Sequence, residues 1–437
     1  MIKAFNTLRK IWQASDLRKK IFYTIFILVI IRILAHIPIP GVNIENLQSF
    51  FETNQVFGFL DIFSGGAMSR FSLILMGVGP YITASIVMQL LKMIVPALEA
   101  LDKEGEYGQR KINQYTRYLT VPLALVESYG LILLLSRGGQ GQAPIFENVF
   151  AGWDLVAALI TVTAGTVLLM WLGELISENG IGNGISLIIT LGIIGGIPTL
   201  FRNVLGVSSI SGGLDFAQIL QFAGFAAVVI LLIAFIIFVI EGQRNIPVSY
   251  ASKLRGLRSY RRSDTYLPLK VNAAGMIPII FAVSIMLFPS TVARFLQNAK
   301  SEWLSSASTW VLNLFENTLF YGIFFFIMVV AFTYFYTFIV FHPEKVAENL
   351  QKQGGFIPGI RPGTETMKYL YKVMSRITLF GALFLGLVAV APFLIPAVIQ
   401  NPNLVISGSG MLIVVGVVLD TNRQIKAHLI SRSYEVI

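Results

Sequence analysis

The sequence predicts an all-α polytopic membrane protein with ten transmembrane helices, and three observations predict it. Apolar runs long enough to cross hydrocarbon, such as Ala223–Ile240 and Phe320–Phe341, recur through 437 residues of which 55% are apolar and 13% charged. With a mean hydropathy of +0.72, the chain has too little polar surface to cover so many runs in water. Alternate connections between the runs carry very different charge. Several runs also hold glycine and proline, which membrane helices tolerate better than soluble ones.

Residues 1–20 form a polar, basic, weakly amphipathic N-terminal segment. The apolar stretch after them runs into Arg32, His36 and the Pro38/Pro40 pair, with no small-residue processing site, so 21–37 reads as a retained first span. Val56–Met68 is apolar but too short to cross, and Asp61, Gly65 and Gly66 break it. It reads as a half-helix packed inside the protein or a re-entrant plug, or else as an external amphipathic helix lying on the surface. The remaining spans fall at 71–95, 118–136, 153–173, 184–201, 216–240, 271–290, 317–341, 377–397 and 408–420.

Glycine and proline interrupt these spans at Gly77, Gly79 and Pro80, at Gly192, Gly195, Gly196 and Pro198, and at Gly275 and Pro278; Gly408 and Gly410 lead into the last. Small residues of this kind serve close helix packing or build broken helices around an aqueous cavity. The expected organisation is an N-terminal half at 21–201, an external connection at 202–215, a C-terminal half at 216–420 and a tail at 421–437. Two halves of five spans each would have to be inverted.

Charge orients the chain. The 241–270 connection has seven basic residues (Arg244, Lys253, Arg255, Arg258, Arg261, Arg262, Lys270) against Glu241 and Asp264, a net of +5. The 342–376 connection nets +3, whereas 137–152 holds only Arg137 against Glu147 and 398–407 has no charge. Cationic loops select the cytoplasmic side, so both termini are expected there, with anionic lipid attracted to the same face. The 96–117 connection is balanced and follows its neighbours.

No catalytic pattern is present: there is no cysteine, only three histidines (His36, His342, His428), and no phosphate loop, zinc-protease pair or serine elbow. The reading is a non-enzyme without cofactor or metal. Charge within the spans is nearly confined to Arg32, Glu127 and Glu174, which argues against an ion-coupled carrier. Ile82 and Ile86, and Ile185 and Ile189, are each four apart on glycine-interrupted spans, with Ile277 beside Pro278 and Ile413 in the last span. Their spacing fits core or lipid-facing residues and equally a dewetted collar. The basic loops likewise fit topology alone, or docking to an acidic protein or an RNA backbone through a Gly/Pro-held tip at Arg361.

Four ordered motifs carry a resemblance: Gly79-Pro-Tyr-Ile-Thr-Ala-Ser-Ile-Val-Met-Gln89, Gly180-Ile-Gly-Asn-Gly-Ile-Ser186, Leu267-Pro-Leu-Lys-Val-Asn-Ala-Ala-Gly-Met-Ile-Pro278 and Gly355-Phe-Ile-Pro-Gly-Ile-Arg-Pro-Gly363. With these, the chain resembles the SecY family, the main subunit of the bacterial protein-conducting channel, over essentially its whole length. The resemblance implies two pseudo-symmetric inverted five-helix halves around a central hourglass pore, and a short plug helix at 57–70 that includes Phe57, Leu60, Asp61, Ile62, Phe63, Gly65 and Gly66. It implies a pore ring at Ile82, Ile86, Ile185, Ile189, Ile277 and Ile413, and polar lateral-gate positions at Gln89 and Asn183. Lys253, Arg255, Arg258 and Arg361 fall in loops that resemble the docking surface for the ribosome and the motor ATPase SecA. Further implied partners are two small membrane subunits, SecE and SecG, and signal-sequence-bearing polypeptides, with the bacterial cytoplasmic membrane as the location. From the residues alone, an inverted-repeat transporter and a pore-less membrane scaffold or insertase component remain as alternatives.

Overall fold

The computed structural model describes residues 13–53, 61, 64–136, 145–146, 152–206, 216–250, 264–296, 301–399 and 408–435. A helix occupies each of the ten stretches read as spans: α1 Ser15–Leu34, α3 Gly79–Ile94, α5 Glu106–Ser136, α6 Trp153–Asn179, α7 Gly184–Gly206, α8 Phe216–Glu241, α9 Ile277–Leu296, α11 Thr318–Val340, α13 Thr364–Ile399 and α14 Gly408–Glu435. Shorter helices lie between them: α2 Ile44–Thr53, α4 Pro96–Lys103, α10 Glu302–Glu316 and α12 Pro343–Lys352. Three strands, β1 Gln243–Tyr250, β2 Asp264–Lys270 and β3 Gly355–Phe356, complete the described elements.

Among the described residues, Trp153–Asn179, Leu319–Lys352 and Thr364–Ala391 are each long and apolar enough to cross a membrane. Gly79–Ile94 and Pro96–Lys103 meet that test together across a 99° bend. The bend follows from Pro96, which forces Val95 into an extended conformation (φ −97°, ψ 109°) and restarts the helix at its own first turn. Large apolar side chains stand exposed along these helices, including Phe22, Phe26 and Ile33 on α1, Leu231 and Phe238 on α8, and Phe380 and Leu387 on α13. Surfaces of this kind need a lipid solvent. The chain is a multi-pass membrane protein.

The chain divides into two compact units. In the first (residues 1–215, 284–316 and 413–437), α3 packs on α5, α5 on α6 and α6 on α7, with α1 laid against α6 and α7. The expected helix over 71–95 starts only at Gly79. Residues 71–78 are turns instead, held by an antiparallel bridge in which Ile39 N–H donates to Phe71 O (2.9 Å) and Leu73 N–H to Ile37 O (3.0 Å). Helix α6 presses onto this segment so closely that a Cβ on Gly165 would overlap the Leu73 carbonyl. Phe71 is fully buried and meets Phe146 edge-on, in a core shared with Leu47, Phe50, Leu75, Ile132 and Val162. The expected tail after 420 is helical, because α14 continues to Glu435 and packs Ile425 and Leu429 around Ala14, Leu17 and Ile181.

In the second unit (residues 216–283 and 317–412), α11 and α13 pack along one another. The Asn317 side chain caps α11 by accepting from the Leu319 and Phe320 N–H groups. The two cationic connections, expected to be loops, form one folded module. Strands β1 and β2 pair antiparallel from Gln243↔Lys270 to Ser249↔Asp264, and β3 adds to β1 through Ser249↔Phe356 and Tyr250↔Gly355. Ile246, Val248 and Leu269 from the hairpin share a core with Ala347, Leu350, Ile357, Leu370 and Met374 from the other connection. The described parts of these sequence-distant connections are thereby held as one body.

Candidate functional site

The expected plug is partly described. Phe57, Leu60, Ile62 and Phe63 lie outside the described residues, while Asp61, Gly65 and Gly66 lie within them. Asp61 organises the turns that follow it. Its carboxylate accepts from the Ser69 N–H (2.9 Å) and the Ser64 hydroxyl (3.1 Å), and its carbonyl accepts from the Gly66 N–H (3.0 Å). Ser64 Oγ in turn accepts from the Met68 N–H at 3.1 Å. Gly65 and Gly66 adopt φ of +72° and +79°, so the chain reverses where a side chain would be strained.

Helix α1 reaches this turn with Arg32, whose Nη1 donates to Gly65 O (3.0 Å) and Nη2 to Gly195 O on α7 (3.1 Å). One turn on, His36 Nδ1 lies 2.8 Å from Arg32 O, and its Nε2 lies 2.6 Å from Arg70 Nη1. A carbonyl can only accept and a guanidinium only donate, so as hydrogen bonds these contacts have His36 Nδ1–H donating to Arg32 O and His36 Nε2 accepting from Arg70. The signal for this cluster was present in the sequence as an arginine inside a span and a Gly-Gly pair after an Asp-x-x-Ser. Their meeting was not.

The isoleucines lie on four helices, α3, α7, α9 and α14. Ile82 and Ile86 share one face of α3, Ile86 buried and Ile82 partly so. Ile185 and Ile189 share one face of α7, and Ile185 packs across Gly173 of α6, where an added Cβ would lie 2.7 Å from its Cδ1. Ile413 is fully buried in α14. Ile277 belongs to the second unit and opens α9.

Gln89 is partly buried on α3. Its Nε2 donates to Ser85 Oγ at 3.4 Å, while its buried Oε1 has no hydrogen-bond partner. Asn183 caps α7, its Oδ1 accepting from the Ser186 N–H (3.1 Å) and its carbonyl from the Leu187 N–H (2.9 Å). The capping role was legible in Asn-Gly-Ile-Ser but was not drawn from it. Of the other charged span residues, Glu174 pairs with Arg117 at 2.7 Å, joining α6 to α5.

On the cationic module Arg361 is exposed, and its carbonyl accepts from the Thr366 hydroxyl at 2.9 Å. With Gly359, Ile360, Glu365, Lys368, Tyr369 and Lys372 it lines an open depression of about 440 Å³. Lys368 is paired with Glu365 at 3.0 Å, which leaves Arg361 and Lys372 as the depression's net positive charge. Lys253, Arg255 and Arg258 lie outside the described residues.

A family model described as SecY matches residues 72–422. The protein translocase subunit SecY of Halalkalibacterium halodurans is 43% identical over 435 residues, covering 99% of each chain. The chain belongs to the SecY family. Its fold is similar to that of a solved structure described as a protein conducting channel (TM-score 0.62, 19% identity, 94% of this chain and 92% of the other). It is also similar to Sec61 in the canine ribosome-channel complex from the endoplasmic reticulum (TM-score 0.59, 19% identity, the same coverage). SecY-family membership makes the chain a channel subunit for protein translocation.

Proposed function

We propose that the chain passes unfolded secretory polypeptides across the bacterial cytoplasmic membrane and releases apolar segments sideways into the bilayer. The observation that carries this reading is the non-helical segment Gly65–Val78, pressed against α6 at Gly165 and tied to α1 and α7 through Arg32. A simple helix bundle has no use for such a segment among its helices, whereas a gated pore needs a part that can leave. Ten spans in two inverted halves surround the pore, with both termini cytoplasmic. Ile82, Ile86, Ile185, Ile189, Ile277 and Ile413 form a dewetted collar, residues 57–70 the plug, and Gln89 and Asn183 the polar edge of the lateral gate.

The cationic module, with Arg361 on the second connection and Lys253, Arg255 and Arg258 between β1 and β2 in sequence, docks the ribosome and SecA. SecE, SecG and anionic lipid complete the working assembly. No covalent step is assigned to the chain, since the work is done by the docked motor or ribosome. The test is translocation of an unfolded secretory polypeptide into vesicles containing the full chain and its membrane partners, with ATP and SecA. Protease-protected product and an ion leak on deletion of Phe57–Met68 support the reading. No protected product together with an ion-tight deletion variant would overturn it.

A further inference from the structure

We infer that Arg32 is a latch on the plug segment, one that holds while its surroundings are dry and lets go when they wet. The inference rests on the channel reading above. Its starting point is a partly buried arginine in the last turn of α1, whose donors need partners wherever water is scarce. Among the described residues no carboxylate pairs with Arg32. The guanidinium is instead satisfied by two backbone carbonyls, Gly65 O at 3.0 Å and Gly195 O at 3.1 Å, which belong to different parts of the chain. One side chain thus ties α1 to the turn that ends the plug and to the glycine-rich stretch of α7.

Both acceptors are glycines, and space explains why. A Cβ on Gly195 would overlap the guanidinium, and a Cβ on Gly65 would come within 2.7 Å of Gly192 Cα. The bare backbone at Gly65, Gly192 and Gly195 lets one guanidinium reach two peptide carbonyls at once. Bonds from a charged donor are strong in a water-poor site, yet each exchanges for a water bond at little net cost once water enters. When the plug leaves, the Gly65 bond breaks, and the hydrated space it vacates solvates the freed donor. The latch therefore resists opening from the dry state and offers little resistance to a channel already wet, which makes release cooperative.

The chain contains no cysteine, so a single reporter can be placed cleanly. Ala67, fully buried just after the Gly-Gly turn, becomes Ala67→Cys; a membrane-impermeant maleimide should label it only when the segment moves. The full chain, purified with its accompanying membrane subunits, is placed in vesicles, and labelling rate and resting ion leak are read together. Losing one charge-assisted bond predicts a rise on the order of tenfold in both for Arg32→Gln. Gly195→Ala keeps the charge and blocks the reach, so it should match. Gly196→Ala, where an added Cβ meets no atom within 4 Å, should behave as the parent. Arg32→Lys, able to serve only one carbonyl well, should fall between.

If Arg32→Gln stays tight while deletion of Phe57–Met68 leaks, the latch is refuted and the channel reading stands. If neither leaks, the channel reading fails first. Should Arg32→Gln not fold, the contrast between Gly195→Ala and Gly196→Ala decides, and equal behaviour of those two overturns the latch.

Discussion

If the cationic module is a docking platform, its cohesion should matter as much as its charges, and Ile246→Ala separates the two. Ile246 is 1% exposed on β1, in the core that joins the two cationic connections. The substitution removes three carbons, about 2.4 kcal/mol at roughly 0.8 kcal/mol per buried group. The residual cavity brings the cost to about 3 kcal/mol, inside the range of about 2–5 kcal/mol for such truncations. That loss corresponds to roughly a hundredfold increase in local opening. Hydrogen exchange should report it as faster amides in Gln243–Tyr250 and Asp264–Lys270, with α11 and α13 unchanged in their membrane portions. Affinity for SecA and for the ribosome should fall although no charge has been touched. Unchanged protection of β1 and β2 would refute the packing argument. A loosened sheet with undiminished docking would show instead that the basic residues act singly.

Three further outcomes follow from named contacts. Replacing Ile82, Ile86, Ile185 and Ile189 together by serine should raise the resting ion conductance of reconstituted protein, because a polar neck wets; a variant as ion-tight as the parent would remove these residues from the collar. Arg361→Glu should weaken SecA or ribosome binding and flatten its salt dependence while changing stability by no more than about 0.5 kcal/mol, since the side chain is exposed; equal affinity and equal salt slope in a binding assay would leave it a topology residue. Asn183→Ala should cost about 1 kcal/mol by uncapping α7, seen as faster exchange at Ser186 and Leu187, whereas Asn183→Asp should restore the cap.

The ten helical stretches were legible because each is an apolar run of spanning length, a signal that depends on the solvent rather than on any partner. Their limits were less so: apolarity alone put Phe71–Val78 in a helix, while the backbone there pairs with Ile37–Ile39. The sheet was hidden for a different reason. Strand β1 contains Pro247 and begins with Gln-Arg-Asn, a poor strand pattern, and its partner β3 lies across two membrane helices in sequence. Only the packing of Ile246 and Val248 on Leu370 and Met374 makes strands of these residues. Family motifs gave the candidate gate and collar residues, but nothing local in Gly65 or Gly195 announced an arginine donor.

The distribution of satisfied and unsatisfied polar groups also bears on where the molecule is built to move. Thr116, Thr120, Thr166, Thr333 and Thr337, buried in the helices, each return their hydroxyl to the carbonyl four residues back. That satisfies the group whatever surrounds the helix. Gln89 on α3 and Asn272 just before α9 behave otherwise, each leaving a buried side-chain oxygen without a partner. An unmade bond of this kind costs about 1–3 kcal/mol, and an apolar residue of similar size would avoid it in a static bundle. The cost makes sense where the closed state is not the only one that counts. On the proposed function, Gln89 belongs to a gate edge, and Asn272 lies within the motif that leads into the collar residue Ile277. If opening of such a gate exposes these oxygens to water or to the peptide groups of a passing chain, the penalty of leaving them unpaired is relieved on opening.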